Sequence, residues 1–195
     1  ISRDMKLSNS GIASAEDADS EGEEGKFYLW SPDEFRTILK EKSVILEKFW
    51  NLTKEGNFEG RNILHTKESL DDRENIRELL YKERNKRSLP LRDEKILTAW
   101  NGLMISAYAK AAFVFNNSVY LEKAKKAAQC ILDKLYANGR LFRSYKDGRQ
   151  KHNAYVEDYA FLIEAFLDLY EASGDIMWLQ KALLFERILE TYYED

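Results

Sequence analysis

The stretch Val119-Tyr120-Leu121-Glu122-Lys123-Ala124 returns in altered form 58 residues later, as Met177-Trp178-Leu179-Gln180-Lys181-Ala182. The same shift carries Met104-Ile105-Ser106-Ala107-Tyr108 onto Leu162-Ile163-Glu164-Ala165-Phe166. Both pairs of segments place apolar residues at helical spacing, so the repeating unit is a pair of helices joined by a turn. Such hairpins bury their apolar faces by stacking on one another, and the repeat therefore predicts an all-α fold of stacked helical hairpins.

The apolar pattern predicts four helices in the second half of the chain. We expect one helix at about residues 96–115, a second at about 118–136, and two more separated by Gly174. The polar turn Asn116-Asn117-Ser118 offers N-caps for the second helix, and Asp175 offers one for the last.

The segments that connect the helices carry turn residues. Asn138-Gly139 is expected to end the second helix in the left-handed conformation, ahead of a polar hairpin from Leu141 to Asn153. Near the start of the chain, Ile1–Lys6 is interpreted as the tail of a helix. Two short strands, Ile12–Ser14 and Lys26–Trp30, are expected on either side of an acidic tip.

Two helices are predicted in the remainder of the first half. Ser31 is a typical N-cap, Pro32 fits the first helical position, and Glu34 completes a capping box. A second helix is expected from about Leu70 to Lys86.

The composition of the 195 residues restricts the class of function. The net charge of -4 gives no general attraction for nucleic acid or anionic lipid, so neither partner is expected. No apolar run reaches transmembrane length and no signal-peptide pattern opens the sequence. We therefore expect a cytoplasmic protein without membrane contact, and the sequence predicts no bound cofactor.

The acidic loop around residues 17–22 looks like the opening of a calcium site. Asp17, Asp19 and Glu21 fill the first, third and fifth positions of an EF-hand loop, but the twelfth position falls on Tyr28 instead of glutamate. An EF-hand is therefore not predicted and no metal site is assigned. An irregular calcium site, a solvated turn and a loop that contacts a ligand remain as alternatives, and the three acids are candidate ligand-binding residues.

Three sequence blocks resemble hallmarks of the spermatogenesis-associated protein 20 family, also called the YyaL family. They are SAEDADSEGEEGKFYLW (residues 14–30), DEKILTAWNGLMI (93–105) and AYVEDYAFLI (154–163). The shorter GNFEG (56–60) and NILH (62–65) match as well. The resemblance extends in order over nearly the whole chain.

This resemblance implies a larger protein in which a thioredoxin-like domain precedes an α/α-toroid similar to the six-hairpin glycosidases. Residues 1–195 would then be a middle portion of one toroid domain, with the thioredoxin-like domain of the same full-length chain as a partner. An incomplete toroid would expose apolar faces meant for missing hairpins, which predicts a homodimer or marginal stability for the isolated segment.

In such a toroid the amino-terminal ends of the inner helices line a central cavity, and the resemblance places the candidate site there. The candidate catalytic residues are Glu157, Asp158, Asp93 and His65. Besides the three acids of the loop, the candidate ligand-binding residues are Lys95, Trp100, Asn101 and Tyr159. Carboxylates beside aromatic rings suit sugar chemistry, because one acid can protonate a leaving oxygen while another activates water.

Several of these residues also have a structural interpretation. Glu157 and Asp158 would complement the helix dipole in a first turn. The glycine in Asn101-Gly102 costs about 1 kcal/mol in a helix, which close approach of either a ligand or a neighbouring helix would explain. His65, as a single histidine, is compatible with a purely structural role.

The sequence thus predicts a carbohydrate-active-enzyme-like domain that binds or acts on a small, sugar-like molecule. Hydrolysis and epimerisation are the two reactions considered, although the epimerases of this fold use a pair of histidines that His65 and His152 do not match. The alternative is a non-catalytic module that binds a ligand or partner for the attached thioredoxin-like domain.

Overall fold

The computed structural model describes residues 1–66 and 73–193, and most of them are helical. The chain forms two compact units. The first, here called the hairpin unit, combines Ile1–Ala15 with Arg92–Asp195, and the second, the acidic-loop unit, is Glu16–Leu91. Each unit contains an apolar core of its own.

Helices dominate the order of elements along the chain. The helices are α1 (Pro32–Leu39), α2 (Ser43–Phe49), α3 (Arg73–Arg84), α4 (Thr98–Phe115), α5 (Ser118–Leu135), α6 (Val156–Ser173) and α7 (Ile176–Tyr193). The strands are β1 (Ala15–Glu16), β2 (Asp19–Ser20), β3 (Glu23–Glu24), β4 (Arg92–Asp93), β5 (Ile96–Leu97), β6 (Tyr136–Ala137), β7 (Arg140–Lys146) and β8 (Arg149–Asn153). No helix within the described ranges has both the length and the apolar character needed to cross a bilayer.

The two helical hairpins of the hairpin unit confirm the sequence repeat. Helices α4 and α5 form the first hairpin, and α6 and α7 form the second. Every helix end in the second hairpin lies 58 residues after its counterpart in the first. The predicted caps are present, since Asn117 Oδ1 accepts from the Val119 N–H (2.9 Å) and Asp175 Oδ1 from the Met177 N–H (3.0 Å). Gly174 ends α6 in the left-handed conformation.

The core of the hairpin unit lies between α4 and α6 and the helices that flank them. Large apolar side chains from all four helices are completely buried there, including Ile105, Ile131, Leu162, Phe166 and Phe185. Burying such a side chain contributes about 1.5–3 kcal/mol relative to leaving it exposed, so these contacts hold the two hairpins together.

A small antiparallel sheet connects the two hairpins. Strand β7 pairs with β5, β6 and β8, so the predicted polar hairpin is confirmed as β7 and β8. The role predicted for Asn138-Gly139 is wrong. These residues, with φ of 53° and 75°, form the turn between β6 and β7, because Tyr136 already leaves the helix in an extended conformation.

The interpretation of Ile1–Lys6 as a helix tail is also wrong. The segment forms turns, with the Met5 N–H bonded to the Ile1 carbonyl, and Lys6 then pairs with Ile12 in an antiparallel bridge. The side chain of Asn101 binds both backbone groups of Ile12, which holds this part of the chain extended. Beyond that bridge, the predicted strand Ile12–Ser14 does not form, and the first strand begins at Ala15.

The acidic-loop unit confirms the capping box predicted for its first helix. The Glu34 N–H donates to Ser31 Oγ (3.2 Å), and the Ser31 N–H donates to Glu34 Oε2 (2.9 Å). Helix α3 lies inside the range predicted as 70–86, whose first residues fall outside the described part of the chain. Trp30, Phe35, Leu46, Ile76 and Leu80 form the buried core of this unit.

The strand predicted at Lys26–Trp30 is not formed. The backbone N–H groups of Tyr28 and Leu29 both donate to the Gly25 carbonyl, so this segment is a turn, and only Trp30 forms a bridge, with Asn62. Gly25 has a φ of 70°, which reverses the chain before a strand can begin. The hairpin lies instead within the acidic loop, where β2 and β3 pair around Glu21-Gly22.

Candidate functional site

Helices α4 and α6 run parallel, with their amino-terminal ends side by side. The Ala99 N–H, in the first turn of α4, donates to the carboxylate of Asp158 in the first turn of α6 (3.0 Å). One turn further along, a Cβ atom at Gly102 would lie 2.9 Å from the backbone carbonyl atoms of Phe161. The glycine is therefore explained by the close approach of the neighbouring helix.

The carboxylate of Asp158 joins the two helix ends. Its side chain is only 1% exposed, and while Oδ1 accepts from Ala99, Oδ2 accepts from the Tyr155 N–H (2.8 Å). Burial raises the pKa of Asp158, and the two backbone hydrogen bonds oppose that rise. Both carboxylate oxygens are occupied by the scaffold, so this side chain positions the site.

An arginine from the sheet connects this buried carboxylate to the surface. Arg143 on β7 donates from Nη1 to Glu157 Oε1 (2.8 Å), and the same nitrogen lies 3.5 Å from Asp158 Oδ2. Its guanidinium carbon lies 4.6 Å from the centre of the Tyr155 ring, a cation–π distance. About half of the Glu157 side chain is exposed, so its carboxylate is the acid of this group that a ligand can reach.

A second charged group surrounds Asp93. Lys95 Nζ lies 2.9 Å from one carboxylate oxygen, and Lys146 Nζ lies 3.3 Å from the other. The hydrogen bond from Lys95 is the main reason that the pKa of Asp93 falls to about 2. Asp93 is therefore ionised at neutral pH, and it is suited to accepting hydrogen bonds and not to donating a proton.

Two of the candidate ligand-binding residues lie in the core. Asn101 is 1% exposed, and besides both backbone groups of Ile12 it binds the Leu97 carbonyl. Tyr159 is equally buried, and its hydroxyl accepts from the Leu141 N–H (3.1 Å). These buried positions do not support the predicted contact with a ligand. The two side chains instead hold the loops around the helix ends.

Aromatic surface is exposed at the same helix ends. The Trp100 side chain is 56% exposed although its neighbours Ala99 and Asn101 are buried, and Tyr155 is 54% exposed. Trp100 directly follows the residue whose N–H binds Asp158, and the Tyr155 N–H binds the same carboxylate. The two aromatic residues thus belong to backbone segments that one buried side chain holds together.

The remaining candidates lie in the acidic-loop unit. Asp17 Oδ1 accepts from the Asp19 N–H (3.1 Å), a local turn contact. Glu21 accepts from Ser88 Oγ (2.9 Å), and this bond, with Lys26 at 3.3 Å, lowers the pKa of Glu21. Nowhere in residues 1–66 and 73–193 do three or more His, Cys, Asp or Glu side chains gather as a metal site would require. The loop is an ion-paired hairpin.

His65, in the same unit, is exposed and contacts the side-chain amide of Asn51. Asn51 Nδ2 donates to the His65 backbone carbonyl (2.9 Å) and lies 3.5 Å from the ring nitrogen Nδ1. No carboxylate or hydroxyl contact to the ring is present among the described residues, so the predicted catalytic role has no geometric support.

Arg143 and Tyr155 were not predicted as functional residues. Arg143 is separated from Glu157 by a hairpin, and no spacing rule connects a residue on a strand with one on a helix 14 positions later. Tyr155 lies at the N-cap of α6, where a short polar residue such as serine or aspartate is expected. The unusual tyrosine at this position was the feature of the sequence that could have identified it.

The curated proteins similar to this chain include mammalian proteins that share one name. Spermatogenesis-associated protein 20 from Homo sapiens and from Rattus norvegicus are each 30% identical to the chain over its whole length. An uncharacterized protein of Caenorhabditis elegans is 28% identical over 94% of the chain. No protein-family model matches the sequence.

The similarity covers a limited part of these relatives. The chain spans about 31% of the length of the mammalian proteins. The matched segment extends over 246 residues, 51 more than the 195 of the chain, so the relatives carry additional residues within it. The similarity confirms the resemblance seen in the motifs: along its whole length, the chain is homologous to one segment of spermatogenesis-associated protein 20.

Proposed function

We propose that the hairpin unit binds a sugar-like ligand at the amino-terminal ends of α4 and α6. The observation that carries this proposal is the exposed indole of Trp100 at the end of α4, which Asp158 joins to the end of α6 that carries the charged pair of Glu157 and Arg143. An aromatic face offers apolar surface to the ring of a sugar, and charged groups next to it can bind the hydroxyls. Tyr155 is also exposed, and its ring centre lies 4.6 Å from the guanidinium carbon of Arg143.

The state of the acids supports binding more than proton transfer. Asp158 is buried, with both oxygens taken by backbone N–H groups. Asp93 has a pKa of about 2, far below the range of a general acid at neutral pH. Glu157 is half-exposed and forms an ion pair with Arg143 at 2.8 Å. The proposed site is therefore a recognition surface in which Glu157 accepts hydrogen bonds from hydroxyl groups.

We place this surface in a larger α/α-toroid. Parallel α4 and α6, each followed by an antiparallel partner helix, form a unit that further hairpins of a longer chain could continue. The relatives are about four times as long as the chain, which leaves residues enough for such hairpins. In a closed ring the amino-terminal ends of the inner helices would then face a shared cavity.

The test is binding of oligosaccharides by the intact protein. An array of immobilised glycans identifies a ligand, and calorimetric titration with the best one measures its affinity. We expect Trp100→Ala to weaken binding at least tenfold, because the stacking surface is lost, and Glu157→Gln to weaken it by a smaller factor.

Phe113→Ala is the matched control, because Phe113 is also an exposed aromatic residue on the same helix, far from its amino-terminal end. This variant is expected to bind as the wild type does. Absence of glycan binding across the array would contradict the proposed ligand class. Equal losses in Trp100→Ala and Phe113→Ala would contradict the location of the site.

A further inference from the structure

A cavity of about 340 Å³ opens in the hairpin unit between the segment before β1 and the α4–α5 hairpin. Its lining includes Lys6 and Ile12 from that segment, Tyr108 from α4, and Val119, Lys123 and Lys126 from α5. The cavity lies near the turn between α4 and α5, away from the helix ends that carry Trp100 and Glu157. Cavities of this size accommodate small organic molecules.

Positive charge in this cavity is not balanced by ion pairs. Within residues 1–66 and 73–193, none of Lys6, Lys123 and Lys126 has a carboxylate within salt-bridge distance. Lys110 and Lys125, on the same two helices, each pair with an acid. Three like charges around one cavity repel each other, and an anion bound between them would relieve that repulsion.

One lysine is held in place at the cavity. Lys123 Nζ donates to Ser2 Oγ (3.0 Å), and Ser2 Oγ lies 2.9 Å from the hydroxyl of Tyr108. The same ammonium lies 5.4 Å from the centre of the Tyr120 ring and 5.9 Å from that of Tyr108. These contacts orient the charge without neutralising it.

The lining also offers apolar surface. Ile12 and Val119 present aliphatic groups, and Tyr108 presents a ring that is only 7% exposed. Glu122 is the acid on the lining, and it is drawn toward Lys125 at 3.8 Å, so the cavity keeps a positive balance. A ligand that fills this space has an anionic head and an apolar or aromatic body.

We infer that the cavity binds a small phosphorylated organic molecule, with its phosphate among Lys6, Lys123 and Lys126 and its organic part against Ile12, Val119 and Tyr108. A phosphate monoester carries nearly two negative charges at neutral pH and several acceptor oxygens, which matches three ammonium groups and nearby hydroxyls. The volume exceeds what a phosphate group alone would fill, which is why an organic part is included. This site is independent of the proposed sugar-binding surface.

The experiment is titration of the intact protein with phenyl phosphate, inorganic phosphate and phenol, followed by calorimetry. Phenyl phosphate is expected to bind with one-to-one stoichiometry and at least tenfold more tightly than either of the other two probes. Raising the salt concentration weakens this binding, because the attraction is electrostatic.

The double variant Lys6→Gln, Lys126→Gln is expected to lower the affinity for phenyl phosphate at least tenfold while leaving the melting temperature unchanged. Lys134→Gln removes the same type of charge from α5 at a position outside the cavity, and its affinity should stay within twofold of the wild type. Absence of saturable phenyl phosphate binding would overturn the inference, as would equal affinities of the double variant and the Lys134→Gln control. Equal affinities for inorganic phosphate and phenyl phosphate would overturn the inference that the ligand has an organic part.

Discussion

At the scale of single residues, Asp158 helps to hold the two helix ends together. Replacing it with alanine removes the acceptor of the buried Ala99 N–H and that of the partly buried Tyr155 N–H. Each such group costs about 1–3 kcal/mol, so we expect Asp158→Ala to lower the free energy of unfolding by about 3 kcal/mol. Asp158→Asn, which keeps one acceptor oxygen, is expected to lose about half as much.

Urea denaturation of the variants measures this difference. Glu157→Gln is the control, because an exposed ion pair contributes at most about 1 kcal/mol. If Asp158→Ala unfolds at the same urea concentration as Glu157→Gln, then the buried carboxylate does not join the helices.

Asp93 gives stability a defined dependence on pH. Its pKa is about 2 in the folded chain against an ordinary value of 3.8, so the folded state binds the proton less tightly than the unfolded state does. The carboxylate therefore stabilises the fold above about pH 4, and this contribution is lost as the pH falls toward 2. Salt screening keeps it small, since the group is partly exposed.

Thermal unfolding of the wild type and Asp93→Asn between about pH 6 and pH 3 tests this dependence. We expect the wild type to melt at a higher temperature at about pH 6, and this difference to become smaller as the pH falls to about 3. A difference in melting temperature that stays constant over this range would show that the charge on Asp93 plays no part.

Sequence patterns identified the helix ends that carry these residues, but not what each side chain does there. Asn101 and Tyr159 were predicted to contact a ligand, whereas their polar groups bind Ile12 and the Leu141 N–H within the core. The direction of a side chain at a helix end depends on the loop packed against it. That loop comes from a distant part of the chain, so local periodicity does not reveal it.

At the scale of elements, the contact of α4 with α6 depends on Gly102. An added Cβ atom would lie 2.9 Å from the Phe161 carbonyl carbon and oxygen and 3.1 Å from the Leu162 nitrogen, all of them backbone atoms that cannot rotate away. We expect Gly102→Ala to lower the free energy of unfolding by about 2 kcal/mol, even though alanine favours a helix by about 1 kcal/mol.

The matched control is Ala107→Gly, at an exposed position of the same helix. It is expected to lower stability by about 1 kcal/mol through helix propensity alone. Chemical denaturation of both variants decides the question, and a Gly102→Ala variant more stable than the wild type would contradict the close packing.

The helices that belong to the sequence repeat were predicted well, and the short irregular segments were not. The four helices α4–α7 follow from apolar spacing and capping residues, and their ends agree with the 58-residue shift. Lys26–Trp30 has the composition of a strand, yet Gly25 turns the chain and no neighbouring strand pairs with it. A strand needs a partner, and sequence composition does not supply one.

At the scale of the whole molecule, exposed apolar residues at the α4–α5 turn predict self-association of the isolated chain. Phe113, Val114 and Phe115 are each about 70% exposed and consecutive. Contiguous apolar surface of this kind favours association with another protein surface. Light scattering at rising concentration is expected to show a dimer, and Phe113→Ser with Phe115→Ser is expected to shift it toward the monomer. A wild-type chain that stays monomeric at high concentration would contradict this prediction.

The resemblance to a known family added what physical patterns alone did not provide. Apolar spacing indicates stacked hairpins, while the blocks at residues 14–30, 93–105 and 154–163 connect the chain to relatives about four times its length. Binding of a sugar-like molecule remains a proposal, because a ligand is recognised by side chains whose exposure only the folded arrangement provides. Trp100 was predicted as a candidate, and its exposure is what now makes it the residue to mutate first.

The 58-residue repeat has a consequence for how the two hairpins diverged. Trp100 and Asp158 occupy equivalent places in α4 and α6, yet one is an exposed indole and the other a buried carboxylate. Asp158 binds the backbone of the neighbouring helix, whereas the equivalent position, Trp100, is released from that constraint. Position 100 can therefore accept substitutions that position 158 cannot. We expect new ligand specificity to arise at the end of α4 that carries Trp100.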